Sequence, residues 1–187
     1  MLFRYLLIVM AAMGVCTTAG AQEIDVTLSN SSALFRYIHA ANSDFGQTET
    51  DAGLLYTDSN DFLVMFGIQA KGEAGSGSPG LNAGVGVKGF TANTDAYDLI
   101  ALAIGGELHY SPPAINRLGF RAQAFHAPGI VTFLDADDFT YLALSVEYEV
   151  LQQATAYVGY RSVKSGLNGQ GTATIDNDTH IGLRINF

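Results

Sequence analysis

The sequence has one cysteine, no tryptophan and little positive charge. Its single cysteine, Cys16, lies near the N-terminus, so no disulfide bond can form within residues 22–187. The whole chain of 187 residues carries 9 Lys and Arg residues against 18 Asp and Glu residues. Binding to a phosphate backbone requires a basic surface, and this acidic balance therefore excludes nucleic acid as a partner.

Long hydrophobic runs are also missing, with one exception near the N-terminus. An apolar run from Tyr5 to Val15 follows Arg4, and the small residues Ala19 to Ala21 come next. A charged start, a short apolar core and an A-x-A-like site predict a secretory signal peptide over residues 1–21, cleaved near Ala21. The run is too short to cross a bilayer, which takes about 20 apolar residues.

The residue types that are abundant favour β-structure. The chain contains 21 Gly, 9 Tyr and 11 Phe residues, which are common in turns and strands. Hydrophobic residues make up 48% of the chain, although no hydrophobic helix is predicted after the signal peptide. We therefore predict one β-domain over residues 22–187, whose apolar side chains are covered either by a large core or by lipid.

Apolar and polar residues alternate along most of this domain, as in strands with one buried face. At the C-terminus, the odd-numbered residues from Ile181 to Phe187 are apolar, whereas Arg184 falls on the other face. Turn-forming residues at Asp58 to Asp61 and a short connection at Gln152-Gln153 separate neighbouring strands. We predict about ten strands of a length suited to a tilted membrane crossing, with eight as the alternative count.

Several polar segments are predicted as connections. The predicted connections are Asn42 to Thr50, Gly72 to Gly80, His126 to Phe139 and Lys164 to Asp178. If the C-terminus lies on the periplasmic side, the Ser111-Pro113 corner and Gln152-Gln153 become periplasmic turns. The connections His126 to Phe139 and Lys164 to Asp178 then become extracellular loops.

The composition of the polar face indicates whether that face points outward to water or inward to a lumen, with the apolar face then in contact with lipid. A water-facing sheet surface would be dense in Lys and Glu, whereas this face combines glycines with isolated charges. The apolar face is nearly free of charge, as a hydrocarbon-facing band must be. We predict an all-β transmembrane antiparallel up-and-down barrel with Tyr110, Tyr148 and Tyr160 near its interfaces. The residues predicted to face the lumen are Lys71, Lys88, Glu107, His109, Arg121, Glu147, Glu149, Arg161 and Arg184.

Several stretches across most of the domain match a known family. These stretches are Ala103 to Tyr110, Phe125 to Gly129, Phe133 to Asp137, Val146 to Leu151, Ala156 to Arg161 and His180 to Arg184. In them the chain resembles the YfaZ family of predicted outer-membrane proteins. The resemblance implies an outer-membrane β-barrel, and it implies no ligand, reaction or catalytic residue.

The lumen charges allow two functions, a narrow channel or a structural barrel. A barrel of about eight strands is just filled by its side chains, so we expect the charges to fill the lumen as salt bridges. We expect a monomer in the outer membrane, in contact with its lipids and with the barrel-assembly machinery. The terminal Phe187 is the predicted assembly signal.

Catalysis and cofactor binding are not predicted. The acidic residues Asp135, Asp137 and Asp138 match no calcium-binding loop. The sequence contains no G-x-S-x-G motif, and no serine lies two residues beyond His126. Two alternatives stay open: a lipid-modifying barrel enzyme that uses His109 or His126, and a secreted soluble β-barrel that binds an apolar ligand.

Overall fold

Ten long strands form a closed antiparallel barrel in the computed structural model, which describes residues 21–43, 46–75, 77–94, 97–167 and 171–187. The predicted signal peptide lies outside these ranges, apart from Ala21. Within them, no helix is both long and apolar enough to span a membrane. The predicted count of ten is confirmed, with one very short additional strand.

The strands follow one another around the barrel in chain order, and all their ladders are antiparallel. Their bounds are β1 Ala21–Ser29, β2 Ser32–Ser43, β3 Gly46–Thr57, β4 Phe62–Glu73, β5 Leu81–Asn93, β6 Asp98–Tyr110, β7 Leu118–Ala127, β8 Thr132–Leu134, β9 Ala136–Leu151, β10 Ala154–Leu167 and β11 Gly171–Asn186.

Pairing between β1 and β11 closes the barrel. Val26 lies opposite Leu183, and the backbone N–H of Phe187 donates to the carbonyl of Gln22 at 2.9 Å. The other edge of β11 pairs with β10. We call the end that holds Gln22 and Phe187 the terminal end, and the opposite end, with the turn at 58–61, the far end.

The predicted connection from His126 to Phe139 is mostly strand. β7 pairs with β6 as far as Ile104 opposite His126, and β8 resumes that ladder with Ala101 opposite Thr132. The two strands therefore make one stave, interrupted by a bulge with a 3₁₀ turn at Gly129–Val131. Ile130 in this bulge is 87% exposed, so its side chain protrudes from the barrel surface.

Two further predicted loops were wrong. The polar stretch from Asn42 to Thr50 belongs largely to β2 and β3, and most of Lys164 to Asp178 belongs to β10 and β11. Within these stretches Glu49 and Asp176 are buried, because the inner face of the barrel accepts charge. The polar composition of these two stretches therefore indicates strands that face a polar lumen, and not connecting loops.

The outer surface is apolar across the width of the barrel. Side chains on the predicted lipid face are exposed, including the three tyrosines and the odd-numbered residues from Ile181 to Phe187. Exposed apolar residues on every long strand form a continuous band, as hydrocarbon contact requires. The assignment of faces from alternation is therefore confirmed.

The interior is apolar at the far end, where the sequence predicted a polar lumen. Leu55, Leu63, Leu99, Phe139 and Val163 are all 0% exposed, and the rings of Phe90 and Phe139 lie 4.5 Å apart. The inward positions carry aliphatic and aromatic residues near this end. The cluster, called the apolar plug below, consists of Leu34, Leu55, Leu63, Met65, Phe90, Ala92, Leu99, Ala101, Ala103, Phe125, Ala127, Ala136, Phe139, Tyr141, Val163 and Ile175.

Deleting Phe187 is expected to reduce the amount of folded barrel in the outer membrane. The deletion removes the paired backbone hydrogen bonds to Gln22 and the exposed terminal ring. Heat-dependent gel mobility of outer-membrane fractions measures the folded amount. Ile130→Ala, which trims an exposed apolar side chain elsewhere, should assemble normally, and normal assembly of the truncated chain would contradict the assigned role of Phe187.

The substitution Phe139→Ala is expected to lower the free energy of unfolding by about 3–5 kcal/mol, because it leaves a cavity in the apolar plug. Urea unfolding monitored by circular dichroism in detergent measures this loss. Phe120→Ala is the matched control, since the Phe120 ring is exposed on the lipid face. Equal losses for the two variants would show that Phe139 is not packed in a core.

Candidate functional site

A connected set of charged side chains crosses the lumen between the apolar plug and the terminal end. Its central carboxylate is Glu107 on β6, which accepts hydrogen bonds from Arg121, from Gln123 and, at 2.8 Å, from Lys71. Arg121 also donates through Nε to Glu147 on β9 at 2.6 Å. Each carboxylate is therefore shared between donors from different strands.

The same set continues through β11, β1 and β2 until it returns to its start. Arg184 contacts Glu147 at 3.3 Å and Asp25 at 3.4 Å, and Asp25 accepts from Arg36 at 2.9 Å. Arg36 reaches Gln123 at 3.5 Å, and Gln123 donates to Glu107. We name this closed circuit the charge ring: Asp25, Arg36, Glu107, Arg121, Gln123, Glu147 and Arg184.

The remaining buried cations of the lumen have carboxylate partners of their own. Lys88, which is 1% exposed, donates to Asp51 at 2.9 Å and lies 5.0 Å from the centre of the Phe125 ring. Arg161 donates to Asp176 at 2.6 Å. Burying an unpaired charge is costly, so this matching of opposite charges is what allows a charged interior.

Glycines on the inner face leave room for these long polar side chains. A Cβ at Gly182 would lie 2.2 Å from the Tyr157 ring, and a Cβ at Gly67 would lie 2.8 Å from the Lys88 side chain. Tyr157 thereby lies flat on the barrel wall, where its hydroxyl donates to Asp25. The glycines on the inner face therefore provide the space that the polar lumen side chains occupy.

Most residues predicted to face the lumen are brought together. Glu107, Arg121, Glu147 and Arg184 belong to the charge ring, while Lys71 joins it through Glu107, and His109 lies 3.6 Å from Glu147. Glu149 forms no ion pair with any residue in the described ranges. Arg184 has Glu147, and not Glu149, as its carboxylate partner on β9.

Five charged lumen residues were missed by the sequence reasoning. The parity of β1 already places one of them, Asp25, opposite the lipid-facing Ile24 and Val26, so that signal was available. The other four lie in stretches whose composition predicts connections, or in strands whose alternation leaves the inner face unassigned. The missed residues are Asp25, Arg36, Glu49, Asp51 and Asp176.

The lumen is open at the terminal end and closed beyond it. A cavity of about 510 Å³ opens there, and it is called the vestibule below. A second cavity, lined by ring and plug residues, has a volume of only about 30 Å³, room for about two water molecules. The vestibule is lined by Glu23, Arg36, Ile38, Asn42, Gly46, Gln47, Glu49, Lys71, Gly72, Glu73, Asn82, Glu107, His109 and Arg121.

The histidines have neighbours that do not match nucleophilic catalysis. Ser145 Oγ donates to Glu147 at 3.3 Å, and Glu147 lies 3.6 Å from His109 Nε2. A catalytic triad needs the imidazole between the hydroxyl and the carboxylate, whereas here the carboxylate lies between the other two. His126 lies on the outer face, 3.0 Å from Thr140 Oγ1. Within the described ranges, no three His, Cys, Asp or Glu residues are grouped to hold a metal ion.

A closed, even-stranded antiparallel barrel with an apolar outer band and a polar lumen defines an outer-membrane β-barrel protein. The chain belongs to the family described as YfaZ precursor, whose model matches residues 8–187. The resemblance found in the sequence is therefore confirmed. Among curated proteins, none matches the chain in sequence.

Several solved structures are similar to this chain at low sequence identity. The outer-membrane expressed OmpT of Vibrio cholerae is 14% identical, with a TM-score of 0.45 over 88% of this chain and 64% of that chain. The KdgM porin in complex with disordered oligogalacturonate is 8% identical, with a TM-score of 0.47 over 89% and 99% of the two chains. The outer membrane channel DcaP of Acinetobacter baumannii is 8% identical, with a TM-score of 0.44 over 92% and 60%. This chain thus spans less than two thirds of the length of OmpT and of DcaP.

Glu107→Gln is expected to lower the free energy of unfolding by about 1–3 kcal/mol, because it removes the carboxylate that Arg121 and Lys71 share, while Glu147 and Glu49 remain as their other partners. Urea unfolding in detergent measures the change. Glu149→Gln removes a carboxylate from the same end of the barrel and should change stability by less than about 0.5 kcal/mol. An equally small effect of Glu107→Gln would contradict the charge ring.

Proposed function

We propose that this protein is a structural outer-membrane barrel whose filled lumen does not conduct solutes. The observation that supports this is the succession of two layers behind the vestibule. The charge ring links side chains from β1, β2, β6, β7, β9 and β11, and the apolar plug follows with several residues at 0% exposure. A hydrated solute would have to displace both layers.

The energetic cost of opening such a path supports the same function. Separating one buried ion pair costs about 3–5 kcal/mol, and the ring contains several that share partners. The apolar plug gives a permeating ion no hydrogen-bonding groups, so the ion would lose its hydration without compensation. Conduction through a narrow channel would therefore need a rearranged lumen.

The other functions considered from the sequence receive less support. An apolar ligand would need an apolar cavity, but the apolar part of the interior is packed and the vestibule is polar. A lipid-modifying enzyme would need an activated nucleophile, and Ser145 is held by a carboxylate. We also propose that the chain is processed near Ala21 and works as a monomer that contacts outer-membrane lipids and the barrel-assembly machinery.

Planar-bilayer recording of the purified protein is the test of this function. We expect the folded barrel to produce no discrete current steps, because the charge ring and the apolar plug close the lumen. A porin reconstituted in the same bilayer serves as the positive control. Reproducible steps from heat-modifiable, folded protein would contradict the closed barrel and favour a narrow channel.

A further inference from the structure

The vestibule is a formed polar cavity that the closed-barrel function leaves without a role. Its volume of about 510 Å³ lies within the range of about 300–1,000 Å³ that is usual for small-molecule sites. Among the described residues that line it, Ile38 is the one with an aliphatic side chain, and His109 is the one with an aromatic ring. A ligand would therefore be held by hydrogen bonds and charge.

The inner part of the vestibule offers hydrogen-bond donors. The two carboxylates at this depth are already engaged, since Glu107 accepts from Lys71, Arg121 and Gln123, and Glu49 accepts from Lys71. The side chains of Arg121 and Lys71 are 17% and 12% exposed, and each has more N–H groups than the hydrogen bonds that it donates within the described ranges. A ligand carboxylate at this depth would accept from these N–H groups.

The outer part of the vestibule has the opposite character. Glu73 forms no hydrogen bond or ion pair within the described ranges, and Glu23 has only a 3.7 Å contact to Arg184. The amide side chains of Asn42, Gln47 and Asn82 complete this part. Carboxylates with spare acceptor capacity favour an ammonium group, and they disfavour an anion that carries no positive charge.

We propose that the vestibule binds small zwitterions of the amino acid or short peptide class. The carboxylate of the ligand lies inward, towards the Arg121 and Lys71 donors, and its ammonium group lies at the mouth, near Glu23 or Glu73. Such a molecule matches both ends of the cavity, which a simple anion, a simple cation or a neutral sugar does not. Binding at this mouth needs no path through the barrel, so it is independent of whether the lumen conducts.

Isothermal titration calorimetry with the folded, mature barrel in detergent tests this site. L-alanyl-L-alanine is expected to bind with one-to-one stoichiometry. Its N-acetyl form, which lacks the ammonium, and its C-terminal amide, which lacks the carboxylate, should each bind about tenfold more weakly, the loss of one charge-assisted interaction. Lack of binding of the dipeptide, equal affinity for all three compounds, or a preference for maltose would overturn the proposal.

Substitutions at the mouth locate the ligand. The double variant Glu23→Gln/Glu73→Gln should weaken the dipeptide by about tenfold or more and leave the affinity of the N-acetyl form unchanged. Glu149→Gln is the matched control, because Glu149 lies near the same end without lining the vestibule, and it should bind the dipeptide as the parent does. Unchanged dipeptide affinity in a double variant that keeps its heat-dependent mobility would overturn the assignment.

Discussion

The pairing of buried charges across a closed lumen is the constraint on which the rest of this structure depends. Closure of the antiparallel sheet pairs the backbone hydrogen-bonding groups of the strands and leaves no sheet edge. It also places one face of every strand in a narrow interior. Lys88 and Arg161 are almost fully buried there, and each has a carboxylate partner that offsets the cost of burying its charge. Strand register is therefore fixed by charge partners as well as by apolar alternation.

This matching also explains how charge is distributed in an acidic chain. After the predicted signal peptide, Arg117 and Lys164 are the only basic residues in the sequence that do not face the lumen. The other cations are neutralised by carboxylates inside the barrel. The negative net charge of the chain consequently comes from carboxylates outside these lumen pairs.

Alternation in the sequence was sufficient to predict the fold, the lipid face and most of the lumen residues, because period-two patterning reports directly on which face a residue occupies. It could not predict which lumen residues meet, because contacts such as Lys88 with Asp51 depend on register and on strands that are not neighbours. It also misplaced Glu49 and Asp176, since a polar run has the same composition in a loop as in a strand whose inner face is polar. The apolar plug was missed for a related reason: the inward residues change from polar to apolar along the barrel axis, and alternation does not measure depth.

The two ends of the lumen therefore differ in chemistry, with an open polar vestibule at one end and a packed apolar plug at the other. The Asp51–Lys88 pair tests the central claim of charge matching most directly, because it lies outside the charge ring and joins β3 to β5 over Gly67 of the intervening strand β4. A double-mutant cycle with Asp51→Asn and Lys88→Met, measured as free energies of unfolding, should give a coupling energy of about 2 kcal/mol or more. Strictly additive effects of the two substitutions would show that the charges do not meet and would contradict the account.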